Sequence, residues 1–216
     1  MNKSPDAQKQ WAEFREYFEK FVVDDIEKSL KAEIEVGTII LTVIGIDCLS
    51  GYYAGKPTEK ALFVQFINDF MPKYAAYALD IYECIRNGLA HDYIVKRNPT
   101  TRRTFGFTRD DGEDHLVARA TDPNKIILNR VAFAKDFLEA QGNYFARVEN
   151  EQLLWDRAMQ RLSSRGFLTV LREEESVSSP TSATPPSSGS SISTQHLSTG
   201  VKSPSNPSFG TSKPKP

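Results

Sequence analysis

Apolar residues recur every three or four positions along most of the chain up to residue 162. The longest such stretch runs from about Asn129 to Leu162 and predicts one long amphipathic helix, which Gly142 is expected to bend. Its apolar face carries Val131, Phe137, Leu138, Phe145, Val148, Trp155, Met159 and Leu162. Similar spacing over residues 6 to 35 and about 73 to 91 predicts two more amphipathic helices. Helices of this kind bury their apolar faces against one another, so the chain is expected to form an α-helical bundle.

A further segment, from Thr38 to about Tyr53, is apolar nearly all round and predicts a buried central helix. Its β-branched residues also permit a strand, but the neighbouring helical patterns favour a helix. The sequence GYYAGKPT then interrupts the chain, and Thr58 is expected to cap a helix that ends near Met71. Asp47 lies inside the apolar segment. Because a buried carboxylate is costly unless it is paired, we expect Asp47 to meet a helix end, a tyrosine or an arginine, or to support a functional site.

Residues 94 to 128 contain short β-prone runs separated by the turn sequences DDGE and TDPN. They predict a small β hairpin or three-stranded ribbon inserted between helices. Composition changes after Glu175, because residues 176 to 216 contain no Asp, Glu or Arg and are rich in Ser, Pro, Thr and Gly. We therefore expect a mainly α domain over residues 6 to 172, followed by a disordered Ser/Pro-rich tail over residues 173 to 216.

Composition limits the classes of function. Without the tail the chain carries 24 basic and 28 acidic residues, so any contact with nucleic acid must come from a local patch. Cys48 and Cys84 are isolated, and the sequence shows no cluster of metal ligands, so neither a metal nor a cofactor is predicted. The longest apolar run, from Ile39 to Leu49, is shorter than the ~20 residues that span a bilayer. The polar N-terminus lacks a signal peptide, and we expect a cytoplasmic protein without membrane association.

The sequence IRNGLAHDY, residues 85 to 93, places Arg86, Asn87, His91 and Tyr93 in one short segment. These residue types also suit the polar end of a helix. Their spacing, an arginine, four residues, a histidine, one residue and a tyrosine, resembles the signature of the HEPN superfamily (higher eukaryotes and prokaryotes nucleotide-binding domain). The order of elements over residues 10 to 163 is similar too, although outside the motif the resemblance is only architectural. HEPN domains are helical bundles, and many are metal-independent endoribonucleases.

The resemblance implies that Arg86, Asn87 and His91 are catalytic and that RNA is cleaved through attack of its own 2′-hydroxyl. An imidazole titrates near neutral pH, so His91 suits a general base or acid. Arg86 can hold the phosphate oxygens with its planar, always charged guanidinium. Asn87 can bind the phosphate or orient His91. The implied role is a toxin or an antiviral defence effector. The alternative is a non-catalytic HEPN-like helical dimer that binds RNA, a nucleotide or a protein partner.

Two further expectations concern partners. In one branch of the family a nucleotidyltransferase adenylylates the tyrosine that Tyr93 matches, so Tyr93 is a candidate for modification or site support. An antitoxin or nucleotidyltransferase partner is then implied. Family members commonly dimerise with their motifs face to face. On a straight helix Arg86 and His91 lie about 140° apart. Either the helix loosens near Gly88, or Arg86 reaches around it, or two chains complete the site. We predict a homodimer, with Tyr82 or Leu89 at its interface.

A run of basic residues follows the motif without an intervening acid, and it predicts an RNA-binding patch. Phe105 and Phe107 are interleaved with these cations and could stack on bases; the alternative is a solvated hairpin whose phenylalanines face the core. His115, farther along, is expected to face solvent. The predicted patch consists of Lys96, Arg97, Arg102, Arg103 and Arg109.

Overall fold

The computed structural model describes residues 3–108 and 114–164, with Ala90 and His91 described by their backbone alone. These residues form a mainly α-helical domain with a small three-stranded β-sheet, as predicted. The predicted disordered tail, residues 173 to 216, lies outside the described residues.

The N-terminal helical stretch is confirmed, and it is wound unevenly. Helix α1 (Pro5–Phe18) leads through a π-helical turn (Glu19–Val23) into α2 (Asp24–Lys31) without a break. The Ser4 hydroxyl oxygen accepts a hydrogen bond from the Ala7 N–H at 3.2 Å and caps the first turn. The face of the two helices that packs into the core carries Trp11, Phe14, Phe18, Val23 and Ile26.

The central helix α3 (Glu35–Ala54) is also confirmed, and it contacts α2, α4, α7 and α8. It ends at Gly55, whose φ of 73° is left-handed and favours glycine. Its 20 residues exceed the apolar run visible in the sequence and, with a mean hydropathy of 1.5, are long and apolar enough to cross a membrane. Within this domain 56% of that stretch is buried, as in the core helix of a helical bundle.

The next helix starts one residue later than predicted. Helix α4 (Lys60–Phe70) has Glu59 at its N-cap position, without a side-chain cap bond, so the prediction that Thr58 caps it is wrong. The Thr58 hydroxyl donates to the backbone carbonyl of Asp47 at 2.5 Å. After Met71 the chain stays helical up to Asp92, close to the predicted range of 73 to 91, but its winding changes three times. The successive pieces are a 3₁₀ segment (Pro72–Tyr77), α5 (Ala78–Asp80), a π-helical turn (Ile81–Arg86) and α6 (Asn87–Asp92).

The insertion is a three-stranded sheet, not a simple hairpin. Its strands are β1 (Thr104–Thr108), β2 (Val117–Arg119) and β3 (Asp122–Asn129), in the order β1-β3-β2. Strand β1 runs parallel to β3 and β2 antiparallel to it. The TDPN sequence predicted as a turn belongs mostly to β3, since β3 begins at its aspartate. One face of the sheet packs on the helices through Phe105, Ile126 and Leu128.

The predicted single helix over residues 129 to 162 is wrong, because the structure has two helices there. Helix α7 (Arg130–Asn150) and α8 (Gln152–Ser163) are separated by Glu151, which is extended at φ −115° and ψ 116°. The Arg147 guanidinium donates to the Glu151 carboxylate at 2.6 Å, while the Glu151 carbonyl accepts from the next helix. The predicted bend at Gly142 is absent from the secondary structure, which stays α-helical through that residue. Apolar spacing continues across the break, so periodicity alone does not reveal it.

Gly88 lets the chain fold back against α6. After α6 ends, the Lys96 N–H donates to the Cys84 carbonyl at 3.1 Å, so the returning chain lies directly on the helix. A Cβ at Gly88 would lie 2.3 Å from the Ile94 carbonyl oxygen and 3.0 Å from the Lys96 nitrogen. Both are backbone atoms that cannot move aside as a flexible side chain would.

We therefore expect Gly88→Ala to lower the free energy of unfolding by about 1–3 kcal/mol, since the clash outweighs the helix propensity that alanine adds. Gly142→Ala is the matched control, because a Cβ there would meet nothing within 4 Å. It should raise stability by up to about 1 kcal/mol. Urea unfolding of the two variants measures both effects. Equal stabilisation by both substitutions would show that the returning chain does not lie against Gly88.

Candidate functional site

Arg86 is held against the central helix by Asp47. Its Nε donates to Asp47 Oδ1 at 3.1 Å, and its Nη2 donates to Oδ2 at 3.4 Å. Each side chain keeps about a quarter of its surface exposed, at 26%. The expectation that Asp47 has a charged or polar partner is confirmed, and that partner is the arginine of the motif. The pair therefore ties the motif segment to α3 while leaving part of the arginine side chain exposed.

Asn87 extends this pair into a network. Its Oδ1 accepts a hydrogen bond from Arg86 Nη1 at 3.1 Å, and its Nδ2 donates to Glu83 Oε2 at 3.2 Å. The other oxygen of Glu83 accepts from Lys60 Nζ at 2.8 Å. We call these five residues, Asp47, Lys60, Glu83, Arg86 and Asn87, the Arg86 network. In it both the guanidinium and the amide of the motif are oriented by carboxylates.

Two members of the network were not predicted. Glu83 precedes Asn87 by four residues, a spacing that brings helical side chains together, so the signal for it was present in the sequence. Lys60 comes from α4, and only the tertiary packing of α4 beside the π-helical turn places it there.

The backbone around Gly88 is not regularly wound. A π-helical turn ends at Arg86, and the Gly88 carbonyl accepts from the Tyr93 N–H, five residues on, and from the Ile94 N–H at 3.4 Å. The His91 side chain lies outside the described part of the structure, as does its distance from Arg86. A helix loosened near Gly88, an arginine that reaches around the helix and a second chain therefore stay as the three ways to bring the two groups together.

Tyr93 ends α6 in a left-handed conformation, with φ 57° and ψ 25°. Its ring is 70% exposed, and the adjacent Ile94 is 63% exposed, so both are accessible to another molecule. Leu89 is only 4% exposed and belongs to the core, which makes its predicted place at a dimer interface wrong. Tyr82 is half-buried, with its ring centroid 5.2 Å from that of Phe63.

The basic patch carries less free charge than its sequence suggests. Lys96 pairs with Asp92, and Arg97 Nη2 lies 3.4 Å from Asp122. Arg102 is exposed and forms no ion pair with a described residue. These acids belong to α6 and β3, outside the acid-free interval that motivated the prediction. Arg109 lies outside the described residues.

Arg103 has a structural role in this region. Its Nη1 lies 3.2 Å from Asp80 Oδ2, and Asp80 is 1% exposed. Asn98 also donates to Asp80, at 2.8 Å, so this buried carboxylate anchors the loop before β1. Phe105 is buried in the core at 4% exposure, and Phe107 is partly buried. The core alternative is therefore correct for Phe105. Lys96, Arg97 and Arg102 are the exposed cations among the described residues of the patch.

Comparisons of the chain with models of protein families, with curated proteins and with solved structures found no match. Among the described residues, no group of three or more His, Cys, Asp or Glu side chains is placed to hold a metal ion. The interpretation of the site therefore rests on the Arg86 network and on the spacing of the motif.

A double-mutant cycle tests whether Asp47 positions Arg86. Asp47→Ala, Arg86→Ala and the double variant should give a coupling energy of about 1–2 kcal/mol in urea unfolding, because each single change leaves a partly buried charge unpaired. The control cycle uses the exposed pair Glu27–Lys31, 3.8 Å apart on α2. That pair should couple by only about 0.3–0.5 kcal/mol. Equal coupling in the two cycles would contradict a fixed Asp47–Arg86 contact.

Proposed function

We propose that this protein is a metal-independent endoribonuclease whose catalytic residues are Arg86, Asn87 and His91. One observation carries the proposal: the guanidinium of Arg86 is oriented by Asp47 and Asn87 and still keeps a quarter of its side chain exposed. A fixed, permanently charged fork is suited to binding the oxygens of a phosphodiester and the extra charge that develops on them. Holding it in place before substrate arrives removes part of the entropic cost of the reaction.

The proposed reaction follows from these groups. His91, as a general base, removes the proton of the RNA 2′-hydroxyl, and the 2′-oxygen attacks the adjacent phosphorus. Arg86 stabilises the negative charge on the phosphorane oxygens. The bond from phosphorus to the 5′-oxygen then breaks, and that oxygen takes a proton from a general acid. The products are a 2′,3′-cyclic phosphate and a 5′-hydroxyl.

The biological role that we propose is that of a cytoplasmic toxin or defence effector acting on RNA. Support comes from the spacing of Arg86, His91 and Tyr93. It also comes from the exposure of Tyr93 at the end of α6, since an enzyme that modifies a tyrosine needs access to its hydroxyl. An antitoxin or nucleotidyltransferase is the kind of partner that this role requires.

We also propose that the active form is a homodimer. One histidine does not readily act as both base and acid in one step, and on a straight helix Arg86 and His91 would lie about 140° apart. Three exposed apolar side chains flank the Arg86 network and suit an interface between copies. Ile44 lies on α3 three residues before Asp47 and is 47% exposed, while Tyr93 and Ile94 follow α6. Face-to-face contact through these residues would bring two motif segments into one cleft.

Cleavage assays in EDTA test the proposed activity. The wild-type protein should cleave a generic single-stranded RNA, and His91→Ala should lower the rate by about 10²–10⁴-fold because it removes general acid–base catalysis. The same substitution in the tail, His196→Ala, is the matched control and should leave the rate unchanged. Wild-type cleavage by a folded His91→Ala variant would contradict the assignment. RNA binding without any cleavage would favour the non-catalytic alternative.

The dimer is tested by charging its proposed interface. Ile44→Glu should convert a dimer to a monomer in sedimentation and should reduce cleavage, since a carboxylate buried at an apolar contact is unfavourable. Leu153→Glu is the control, because Leu153 is 61% exposed on α8 and should leave both properties unchanged. A second test refolds His91→Ala and Arg86→Ala together, which should restore part of the activity if two chains share a site. A wild-type protein that is monomeric at micromolar concentration would exclude the dimer.

A further inference from the structure

The sequence suggested that His115 faces solvent. That prediction is wrong, because both nitrogens of its ring have hydrogen-bond partners. The backbone N–H of Asn129 donates to Nδ1 at 3.1 Å, and Nε2 lies 2.9 Å from the Tyr74 hydroxyl. A nitrogen that accepts a hydrogen bond cannot carry a proton, so the ring is neutral and its proton is on Nε2. The ring thus connects the chain before β2 to the end of β3 and to the 3₁₀ segment.

The hydrogen bonds continue from Tyr74 into α7. The Tyr74 hydroxyl donates to Asp136 Oδ2 at 2.5 Å, and Lys73 Nζ lies 2.6 Å from the same oxygen. Tyr74 is fully buried, and its burial together with the bond to Asp136 raises its pKa, so it stays a donor. The three hydrogen bonds of this series run in one direction, with Asn129 donating to His115, His115 to Tyr74, and Tyr74 to Asp136. A proton added to the accepting nitrogen of His115 would interrupt the series.

Other bonds hold the residues that follow His115. Leu116, left-handed at φ 57°, donates its N–H to the Ile127 carbonyl at 2.7 Å and accepts from the Tyr77 hydroxyl at 3.3 Å. Val117 begins β2 and pairs with Ile127 of β3. Asp114 on the other side is exposed. The two bonds of the His115 ring therefore fasten the start of this segment, where the β2–β3 pairing has not yet begun.

We propose that His115 is a pH-sensitive latch that fastens residues 114–116 to the end of β3 and to the 3₁₀ segment, and that the latch loosens at β3 when the ring is protonated. A proton on Nδ1 would face the Asn129 N–H, so two donors would meet at 3.1 Å and the bond would be lost. The latch is independent of the ribonuclease proposal, since none of its residues belongs to the Arg86 network.

The surrounding charges give the direction of the response. Among the described residues, the titratable and charged groups around the ring are Tyr74 and Lys73 from the 3₁₀ segment and Asp136 from α7, with Asp114 next to it in sequence. Burial lowers the pKa of His115, Lys73 lowers it further, and Asp136 opposes both. The closed latch therefore binds a proton less readily than the open one. As pH falls below about 6.5, the ordinary pKa of histidine, the open state gains population, and above that pH the latch stays closed.

Hydrogen exchange of the full-length protein between pH 5 and 8 tests the latch. After correction for intrinsic exchange, protection of the Asn129 and Leu116 amides should fall by up to about tenfold per pH unit below pH ~6.5. In His115→Asn the Oδ1 atom stands in for Nδ1 and accepts the same bond without titrating, so protection should not change with pH. His196→Asn, the same substitution in the tail, should respond like the wild type.

Two results would overturn the proposal. The first is protection of these amides that does not change with pH in the wild type, or that changes with pH to the same extent in the wild type and in His115→Asn. The other comes from the unmodified protein, so it does not depend on the variant folding. Nitrogen NMR of the ring at pH 7.5 should show a neutral imidazole protonated on Nε2, and a charged ring or a proton on Nδ1 would contradict the latch.

Discussion

The ion pair between Asp47 and Arg86 is the interaction on which the arrangement of the motif depends. Helix α3 is packed between other helices, and most of its buried side chains are apolar. One carboxylate in such a helix requires a partner, and the only stable solutions bring a cation or donors to it. Arg86 meets this requirement, so the packing of the core also determines where the guanidinium of the candidate site lies.

Backbone irregularities complete the placement of the motif. A π-helical turn ends at Arg86, Gly88 admits the returning chain, and Tyr93 stops the helix in a left-handed conformation. π-Helical turns are often found at functional sites, and each such departure from regular helix costs free energy that the surrounding packing must offset. Two such departures within thirteen residues, together with the close approach at Gly88 and the Arg86 network, are why we place the candidate site in this segment.

The elements whose apolar faces are continuous were predictable from sequence, and the irregular ones were not. The N-terminal helical stretch follows from periodicity, and the central helix follows from its apolar composition and the helical patterns beside it. The break at Glu151 was missed because apolar spacing runs through it, and Thr58 was misassigned by one residue, since the N-cap position belongs to Glu59. For the site, the need of Asp47 for a partner followed from the cost of burying a carboxylate. The place of Lys60 in the network could not be predicted, since it depends on how α4 packs. The acids that pair with the basic patch lie outside the acid-free interval between Tyr93 and Arg109.

In the mechanism that we propose, the 2′-hydroxyl of RNA is the attacking group and no metal takes part. Mass spectrometry of the product ends, after digestion of one RNA oligonucleotide in EDTA, identifies the attacking group. We expect a 2′,3′-cyclic phosphate and a 5′-hydroxyl, with no cleavage of the DNA oligonucleotide of the same sequence because it lacks the attacking group. A 5′-phosphate with a 3′-hydroxyl, or equal cleavage of the DNA, would contradict this mechanism.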